Sequence, residues 1–424
     1  MTASRSLAEW LDFIERQHPR SIELGLDRVR EVGARMGLKR PAKRVITVGG
    51  TNGKGSTVAF TEAIARGANW HVGAYTSPHL LDYNERVRID GSDACDADLV
   101  EAFEMVEAAR LETSLTYFEY GTLAALWLFQ RSRLDLAILE VGLGGRLDAV
   151  NLIDADVAVI TTVDIDHQDW LGTDRETIGF EKAGIARAGK PLVLGEDDPP
   201  SSVLGHGYAI GASTIRAGCD FFFERIDGDH WRWREVGCAL TLPMPRLAAP
   251  AQMRNAATAI AAMRALRKPI TRAAYAQGIA DAQIAGRLQR FECNGVEVVV
   301  DVAHNPQAAR ELAAWLRQAP ISGRTVAVFA ALGDKDIAGV VAALVDAVDG
   351  WFLAGLDDAG PRGLDATAFA QRLAGTAAGT GETFATVDEA LAAARAQARA
   401  GDRILVFGSF HTAAAALHGL QASD

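Results

Sequence analysis

The chain has 424 residues, enough for two or three domains and a large buried core. Hydrophobic residues make up 49% and there are 41 glycines, which fits an Ala/Val/Leu-built globular α/β protein. A formal net charge of −11 speaks against a nucleic-acid or anionic-membrane binder, although a local cradle can hold a small anion against that field. Cys95, Cys219, Cys238 and Cys293 have no metal or redox spacing and read as reduced thiols of a cytoplasmic protein. The opening residues, MTASRSLAEWLDFIERQ, lack an apolar signal core, and nothing is expected to span a membrane.

Leu7 to Gln17 has apolar residues at helical spacing, and His18 and Pro19 end it. Ser21 to Met36 carries Ile22, Leu24, Leu26, Val29 and Val32, with Ile22-Glu23-Leu24-Gly25 readable as a helix lead-in. Val45 to Val48 is a β-branched run that reads as a buried strand. Gly49, Gly50, Gly53 and Gly55 follow, and Thr57 to Arg66 is helical. A glycine-rich turn alone is only a turn, but Lys54-Gly55-Ser56-Thr57 after a clean strand makes a phosphate cradle. Backbone N–H groups converge, the helix N-terminus favours an anion, Lys54 adds a charge, and a hydroxyl can reach a metal. The spacing is not the common Walker pattern, because Gly55 sits between Lys54 and Ser56.

A second strand, His71 to Tyr75, ends in Thr76-Ser77-Pro78-His79-Leu80. Ser77 either faces the same crevice as the first loop or is a turn hydroxyl before proline. Asp82 to Gly91 reads as a polar loop, and Asp96 to Leu111 and Phe118 to Gln130 as helices. The latter is opened by Thr116-Tyr117-Phe118-Glu119. Leu134 to Val141 is a near-continuous apolar run and predicts a central parallel strand. Glu140 at its end is costly among apolar neighbours unless metal-bound or paired, for which Arg146 is the nearest candidate; the chemistry favours metal. The turn from Gly142 to Ala149 reads as mobile and suited to folding over a ligand.

Val157 to Val163 is the next strand and runs into Asp164, Asp166, His167 and Asp169. His167 and Glu140, both at strand ends, form a plausible Mg²⁺ pair with water and phosphate oxygens, or His167 is a surface histidine. Arg175 to Arg187 is helical, and by itself Lys182 reads as a solvated helix lysine. Pro191 to Leu194 is a strand, Asp197 to Ser202 a polar link, and Phe221 to Glu235 a hairpin about Asp227-Gly228 at the edge of the first domain. Pro250 to Arg267 and Thr271 to Ala282 are helices, and Asn255 either reads an adenine edge or caps. The pattern restarts near Ile284 to Gln289. Val296 to Val300, Thr325 to Ala330 and Ile404 to Phe407 are strands, with helices between and after them. This second α/β domain has no phosphate cradle, so a cleft between the domains is the expected active site.

Gly50-Thr51-Asn52-Gly53-Lys54-Gly55-Ser56-Thr57 resembles the ATP loop of the Mur ligase superfamily, and the added Gly55 resembles its folylpolyglutamate synthase branch. Thr76 to Leu80, Glu140 to Ala149, Asp166 to Gly172, Glu181 to Ile185, Asp301 to Pro306 and Asp334-Lys335-Asp336-Ile337 follow in the order of that branch. The resemblance spans nearly the whole chain. It implies an N-terminal P-loop ATPase-type domain over 1–284, a parallel sheet with a small antiparallel addition. It also implies a C-terminal Rossmann-like glutamate-ligase domain over 285–424.

The implied activity adds L-glutamate to 7,8-dihydropteroate, and further glutamates to tetrahydrofolates, at the expense of ATP. Thr51, Asn52, Gly53, Lys54, Gly55, Ser56, Thr57, Asn255, Arg287 and Asp301 would contact ATP, with His304 close by as a catalytic candidate. Ser56, Ser77, Glu140 and His167 would supply two Mg²⁺ sites, and Lys182 would be carbamoylated by CO₂ to serve the second. Ile22, Glu23, Leu24, Thr116, Tyr117, Phe118, Glu119, Leu147, Asp148 and Ala149 match segments lining the dihydropteroate pocket. Ser409 or His411 would hold glutamate, and the branch is monomeric. One departure is Val150, where the family often has threonine after Asp-Ala, so a hydroxyl is lost.

Overall fold

The computed structural model describes residues 5–20, 22–247 and 249–421. Ser21, which opens the Ser21 to Met36 stretch, and the first four residues lie outside the described residues. The chain divides into two compact units. One is Met1–Arg246 with Met253–Gln283; the other is Leu247–Gln252 with Ile284–Asp424.

The first unit is built on an eight-stranded sheet. Its order is Ser92–Asp93, Val87–Ile89, Val72–Tyr75, Leu136–Glu140, Val45–Gly49, Val157–Ile160, Pro191–Leu194, Ser213–Arg216. The pairs from Val72–Tyr75 onward are parallel. Val45–Gly49 and Leu136–Glu140 are buried at every residue, as a parallel sheet covered on both faces requires. Their register sets Val48 against Glu140, and Gly49 pairs with Ile160 on the other side. The loops after these strands therefore leave from one edge, where ligands of open α/β sheets bind. Trp10, Tyr75, Phe103, Tyr120 and Phe129 lie in the core of this unit.

Several expectations change. Asp82 to Gly91 is not all loop: Tyr83–Arg86 forms a 3₁₀ turn with a capping box from Asp82 and Glu85, and Val87–Ile89 pairs antiparallel with Val72–Tyr75. Polar residues suit that strand because it lies near the sheet edge. The polar link from Asp197 runs into a helix, Ser201–Ala209, that opens after Pro200, and an edge strand, Ser213–Arg216, follows. Proline and glycine hid this helix, although proline is acceptable where a helix begins. The hairpin gains a third strand, Cys238–Pro243, and forms its own three-stranded sheet. Trp231 and Trp233 are buried on it, and Trp233 Nε1 donates to the Ala257 carbonyl at 3.1 Å. The helix from Arg175 ends at Ala183, short of Arg187.

The second unit has a six-stranded sheet ordered Gln289–Cys293, Val296–Val300, Arg403–Phe407, Thr325–Phe329, Gly350–Ala354, Glu382–Phe384. Gln289–Cys293 pairs antiparallel and the rest are parallel. Asn305 caps the Pro306–Gln318 helix and Asp336 caps Ile337–Leu344, which accounts for both residues in their motifs. No helix among the described residues is long and apolar enough to cross a membrane, and the four cysteines are free.

Phe329 stacks on Phe407 at 4.9 Å and meets Phe369 at 5.3 Å, wholly buried. Phe329→Ala is expected to remove about 3–5 kcal/mol from the stability of the second unit, read as a lower urea midpoint in its unfolding transition.

Candidate active site

The phosphate loop grows out of the buried Val45–Gly49 strand and ends where the Lys54–Gly67 helix begins. Gly53 caps that helix in the left-handed region at φ +86°, and a Cβ there would lie 2.5 Å from Asn255 Oδ1. At Gly50, φ +145°, a Cβ would lie 1.9 Å from Thr161 Oγ1. Only glycine fits either place. The loop is clamped to the end of the Val157–Ile160 strand. Thr51 N donates to Thr162 O at 2.7 Å, Thr161 Oγ1 to Asn52 O at 2.6 Å, and Asn52 N to Thr162 Oγ1 at 3.2 Å. Thr161 and Thr162 escaped notice because they read as ordinary β-branched strand residues.

Lys54 Nζ donates to the carbonyls of Gly50 and Thr51, both at 3.1 Å. Ser56 and Thr57 are buried in the first turn of the helix. Thr57 Oγ1 has no hydrogen-bond partner, so a buried polar atom at the phosphate-facing helix end awaits one. Asn255 is buried one turn into the Ala251–Ala265 helix, against Gly53. It is not at the cap, which rules out the capping alternative.

Lys182 is the largest correction to the residue-level reading. It is 4% exposed rather than solvated, and its Nζ donates to Gly50 O at 3.0 Å. Burial, reinforced by the charge of Lys54, pulls its pKa down to about 7. Asp166 and Asp148 oppose that shift.

Ser77 N donates to Glu140 Oε2 at 3.2 Å, so two of the expected metal ligands adjoin at the ends of neighbouring strands. Arg146 is committed elsewhere: it pairs with Glu181 at 2.8 Å, not with Glu140. His167 sits in the left-handed region at φ +51°, opening a one-turn helix, Gln168–Leu171. Its loop is braced from below. Glu196 accepts from Val163 N at 2.9 Å and Arg175 donates to Val163 O at 2.9 Å, with Arg175 and Glu196 paired at 3.2 Å. Burial pushes the Glu196 carboxyl up to about 7. Among the described residues no three His, Cys, Asp or Glu side chains cluster as a metal centre. The hydroxyl and carboxylate oxygens present suit Mg²⁺, which takes few protein ligands and completes its shell with water and phosphate; the His167 imidazole is the softer donor of the set.

The turn after Glu140 is pinned rather than mobile. Asp148 is buried and accepts from Leu143 N at 2.8 Å and Val150 N at 3.0 Å, while burial raises its pKa to about 7. Arg146 N donates to Glu181 O at 2.8 Å, and Asn151 Nδ2 to Gly184 O at 3.1 Å, beside Lys182. On the other flank Gly25 N donates to Leu147 O at 3.2 Å. Ala149 is buried, and Val150 faces the core, where its missing hydroxyl has no solvent to reach.

The remaining segments expected to line the dihydropteroate pocket adjoin this turn. Ile22–Gly25 belongs to no helix, and Asp27–Arg35 begins after it. Thr116 and Glu119 form the capping box of the Tyr117–Arg131 helix. Phe118 lies 5.9 Å from Tyr75 and closes on Gly142, where a Cβ would meet its ring at 2.7 Å. Tyr117 packs on Tyr83 at 5.8 Å, and Arg86 lies over both rings. Arg28, singled out by nothing in the sequence, joins Glu23 to Glu119.

In the second unit, Asp301 leaves the end of Val296–Val300, buried, and accepts from Leu288 N at 2.9 Å and Ala303 N at 2.8 Å. Burial raises its pKa against the charge of Arg287. Arg287 lies 5.5 Å over the Phe410 ring and His304 6.3 Å from it, so these residues form one cluster. Ser409 is a buried cap that accepts from Thr412 N at 2.9 Å, whereas His411 is exposed.

A phosphate loop, a carboxylate and a histidine following the two strands that flank it, and a buried lysine touching it define a nucleotide-using site. Residues 48–220 match the Mur ligase middle domain and residues 286–410 the Mur ligase glutamate ligase domain, and the chain belongs to the Mur ligase family. It is 46% identical to the dihydrofolate synthase/folylpolyglutamate synthase of Escherichia coli over 97% of this chain and 95% of that one. The structure of E. coli FolC in complex with DHPP and ADP matches with a TM-score of 0.94 at 46% identity, covering 100% and 99% of the two chains. A bifunctional folylpolyglutamate synthase/dihydrofolate synthase with Mn, AMPPNP and L-glutamate bound matches at 44% identity and TM-score 0.91, covering 99% of each chain.

Lys182 titrates at about 7 when folded and at 10.5 when unfolded, so between these values the unfolded chain holds the extra proton. Stability from this group is therefore lowest below pH 7 and rises towards pH 10. In CO₂-free buffer, Lys182→Met should gain stability over the parent most at pH 6, the gain shrinking by pH 9. Urea titrations at both pH values read the difference.

Proposed function

We propose that the protein is an ATP-dependent amide ligase that joins L-glutamate to 7,8-dihydropteroate and extends tetrahydrofolates with further glutamates. The observation that carries this is the pinned turn over 142–151. Through Leu147 it is bonded to the Ile22–Gly25 segment, and through Arg146 to the helix of Lys182, whose amine touches the phosphate loop. These contacts support a reading in which a substrate carboxylate held on the first flank meets a phosphate held on the second. The names and bound ligands of the relatives support the same chemistry.

The substrate carboxylate attacks the γ-phosphorus of ATP and ADP leaves. The loop amides, the helix N-terminus and Lys54 hold the phosphates and stabilise the charge that develops on them. The acyl phosphate is then attacked at carbon by the α-amine of glutamate, which loses a proton as phosphate departs, leaving an amide. Asn255, Arg287 and Asp301 are assigned to ATP, His304 to the catalytic group, and Ser409 or His411 to glutamate. Ile22, Glu23, Leu24, Thr116 to Glu119 and Leu147 to Ala149 are assigned to dihydropteroate.

Ser56, Ser77, Glu140 and His167 would hold Mg²⁺ at two sites, where bound metal neutralises charge on the transferring phosphoryl group. Lys182, with its lowered pKa, has the neutral amine that CO₂ requires. Its nitrogen bonds to the CO₂ carbon and releases a proton, giving a carbamate anion that can serve the second metal. The protein is assigned to the cytoplasm as a monomer.

ADP release coupled to consumption of dihydropteroate and L-glutamate tests the activity; ATP turnover that ignores both substrates refutes it. Lys182→Ala is expected to lose at least ~10³-fold in kcat, about 4 kcal/mol of transition-state stabilisation, without rescue by bicarbonate. Retained turnover would remove the carbamate from the account.

A further inference from the structure

We propose that Arg28 is a positioning residue that holds the dihydropteroate subsite in shape; this rests on the assignment of that subsite above. Arg28 is the second residue of the Asp27–Arg35 helix. Its Nη1 donates to Glu23 Oε1 at 2.5 Å and its Nη2 to the Glu23 carbonyl at 3.0 Å. Nη2 also donates to Glu119 Oε1 at 2.9 Å, and Nε to the same oxygen at 3.2 Å. One guanidinium thus spans from residue 23 to residue 119, with the fork geometry that lysine cannot reproduce.

Both carboxylates have further duties that make this span consequential. The Glu119 side chain is only 4% exposed, and its Oε2 accepts from Thr116 N at 2.8 Å, completing the capping box that places Thr116 to Phe118. A buried carboxylate with one cationic partner is costly once that partner is removed. Glu23 lies in a segment without regular structure, tied on its far side through Gly25 N to Leu147 O. Arg28 supplies the shortest of its side-chain tethers, ahead of His18 at 3.4 Å and Arg20 at 3.8 Å. The segments at 22–25, 116–119 and 147–149 are therefore linked, with Arg28 as the side chain that, among the described residues, bridges the first two. Both carboxylate oxygens of Glu119 are taken up by these bonds, and Glu23 Oε1 is held by Arg28 while its Oε2 pairs with His18 at 3.4 Å and Arg20 at 3.8 Å, so their part in recognition runs through position rather than through charge offered to the ligand.

Without Arg28 the Ile22–Gly25 segment keeps the Gly25 bond to Leu147 and the longer pairs of Glu23 with His18 and Arg20, so more of its ordering falls on the pterin substrate, and that ordering is subtracted from binding. The phosphate loop is reached from this subsite through the 142–151 turn and the helix of Lys182, not through Arg28 itself. The test compares the parent chain with Arg28→Ala and Arg28→Lys, measuring Kd for dihydropteroate and for ADP by calorimetry, then KM and kcat. The proposal expects KM and Kd for dihydropteroate to rise ~10-fold or more in Arg28→Ala, with ADP affinity and KM for ATP within about two-fold. Arg28→Lys should recover part of the loss, since it keeps the charge but meets one carboxylate at a time.

A merely structural role would lower melting temperature and active fraction, hence kcat, and leave KM for dihydropteroate unchanged; that result overturns the proposal. Equal losses for nucleotide and pterin overturn it as well. Should Arg28→Ala fail to fold, Arg28→Lys decides alone: unchanged dihydropteroate affinity refutes the positioning role. A parent chain that binds no dihydropteroate refutes the functional assignment and this inference together, whereas a parent that binds it and variants that bind it equally refute this inference only.

Discussion

A lysine amine buried against a backbone carbonyl sets the terms for the first unit. Lys182 has almost no access to water, and its charged form is disfavoured there both by burial and by Lys54. Such an amine is tolerated only if it is neutral, paired or chemically altered. The carbonyl it touches belongs to Gly50, whose backbone is packed on Thr161, and Thr161 in turn fixes Asn52. Moving the lysine therefore means moving the phosphate loop.

The same helix carries the constraint outward. Glu181, next to Lys182, accepts from Arg146 N through its backbone and pairs with the Arg146 guanidinium through its side chain. This holds the glycine-rich turn that follows Glu140. From there Leu147 reaches Gly25, and Arg28 reaches Glu119. The phosphate loop and the segment proposed to receive the pterin substrate are thus joined through a turn of ten residues, 142–151. The turn looked mobile because glycine is permissive; it is fixed because Asp148 and Asn151 take up its backbone groups.

The strands were legible because a parallel sheet buries both faces and writes itself as unbroken apolar runs. Val45–Gly49, Leu136–Glu140 and Val296–Val300 fall close to their expected limits for that reason. The Ser201–Ala209 helix and the Cys238–Pro243 strand were not: prolines and glycines dilute the first, and the second was passed over although only Val236-Gly237 separates it from its partner His230–Glu235. Within the site, the loop glycines and Glu140 announce themselves, because each is anomalous where it stands. Lys182 does not: one lysine on an amphipathic helix reads as solvated until the sheet edge closes over it. Only the resemblance to a ligase family marked it. Arg28 is harder still, as its meaning lies in two carboxylates, one of them 91 positions away.

The central claim is that a substrate carboxylate becomes an acyl phosphate before glutamate attacks. It is tested most directly by running one turnover with dihydropteroate labelled with ¹⁸O in its carboxylate and weighing the phosphate released. The account predicts transfer of one ¹⁸O atom from the carboxylate to inorganic phosphate. Phosphate carrying no label, with amide still formed, would contradict it.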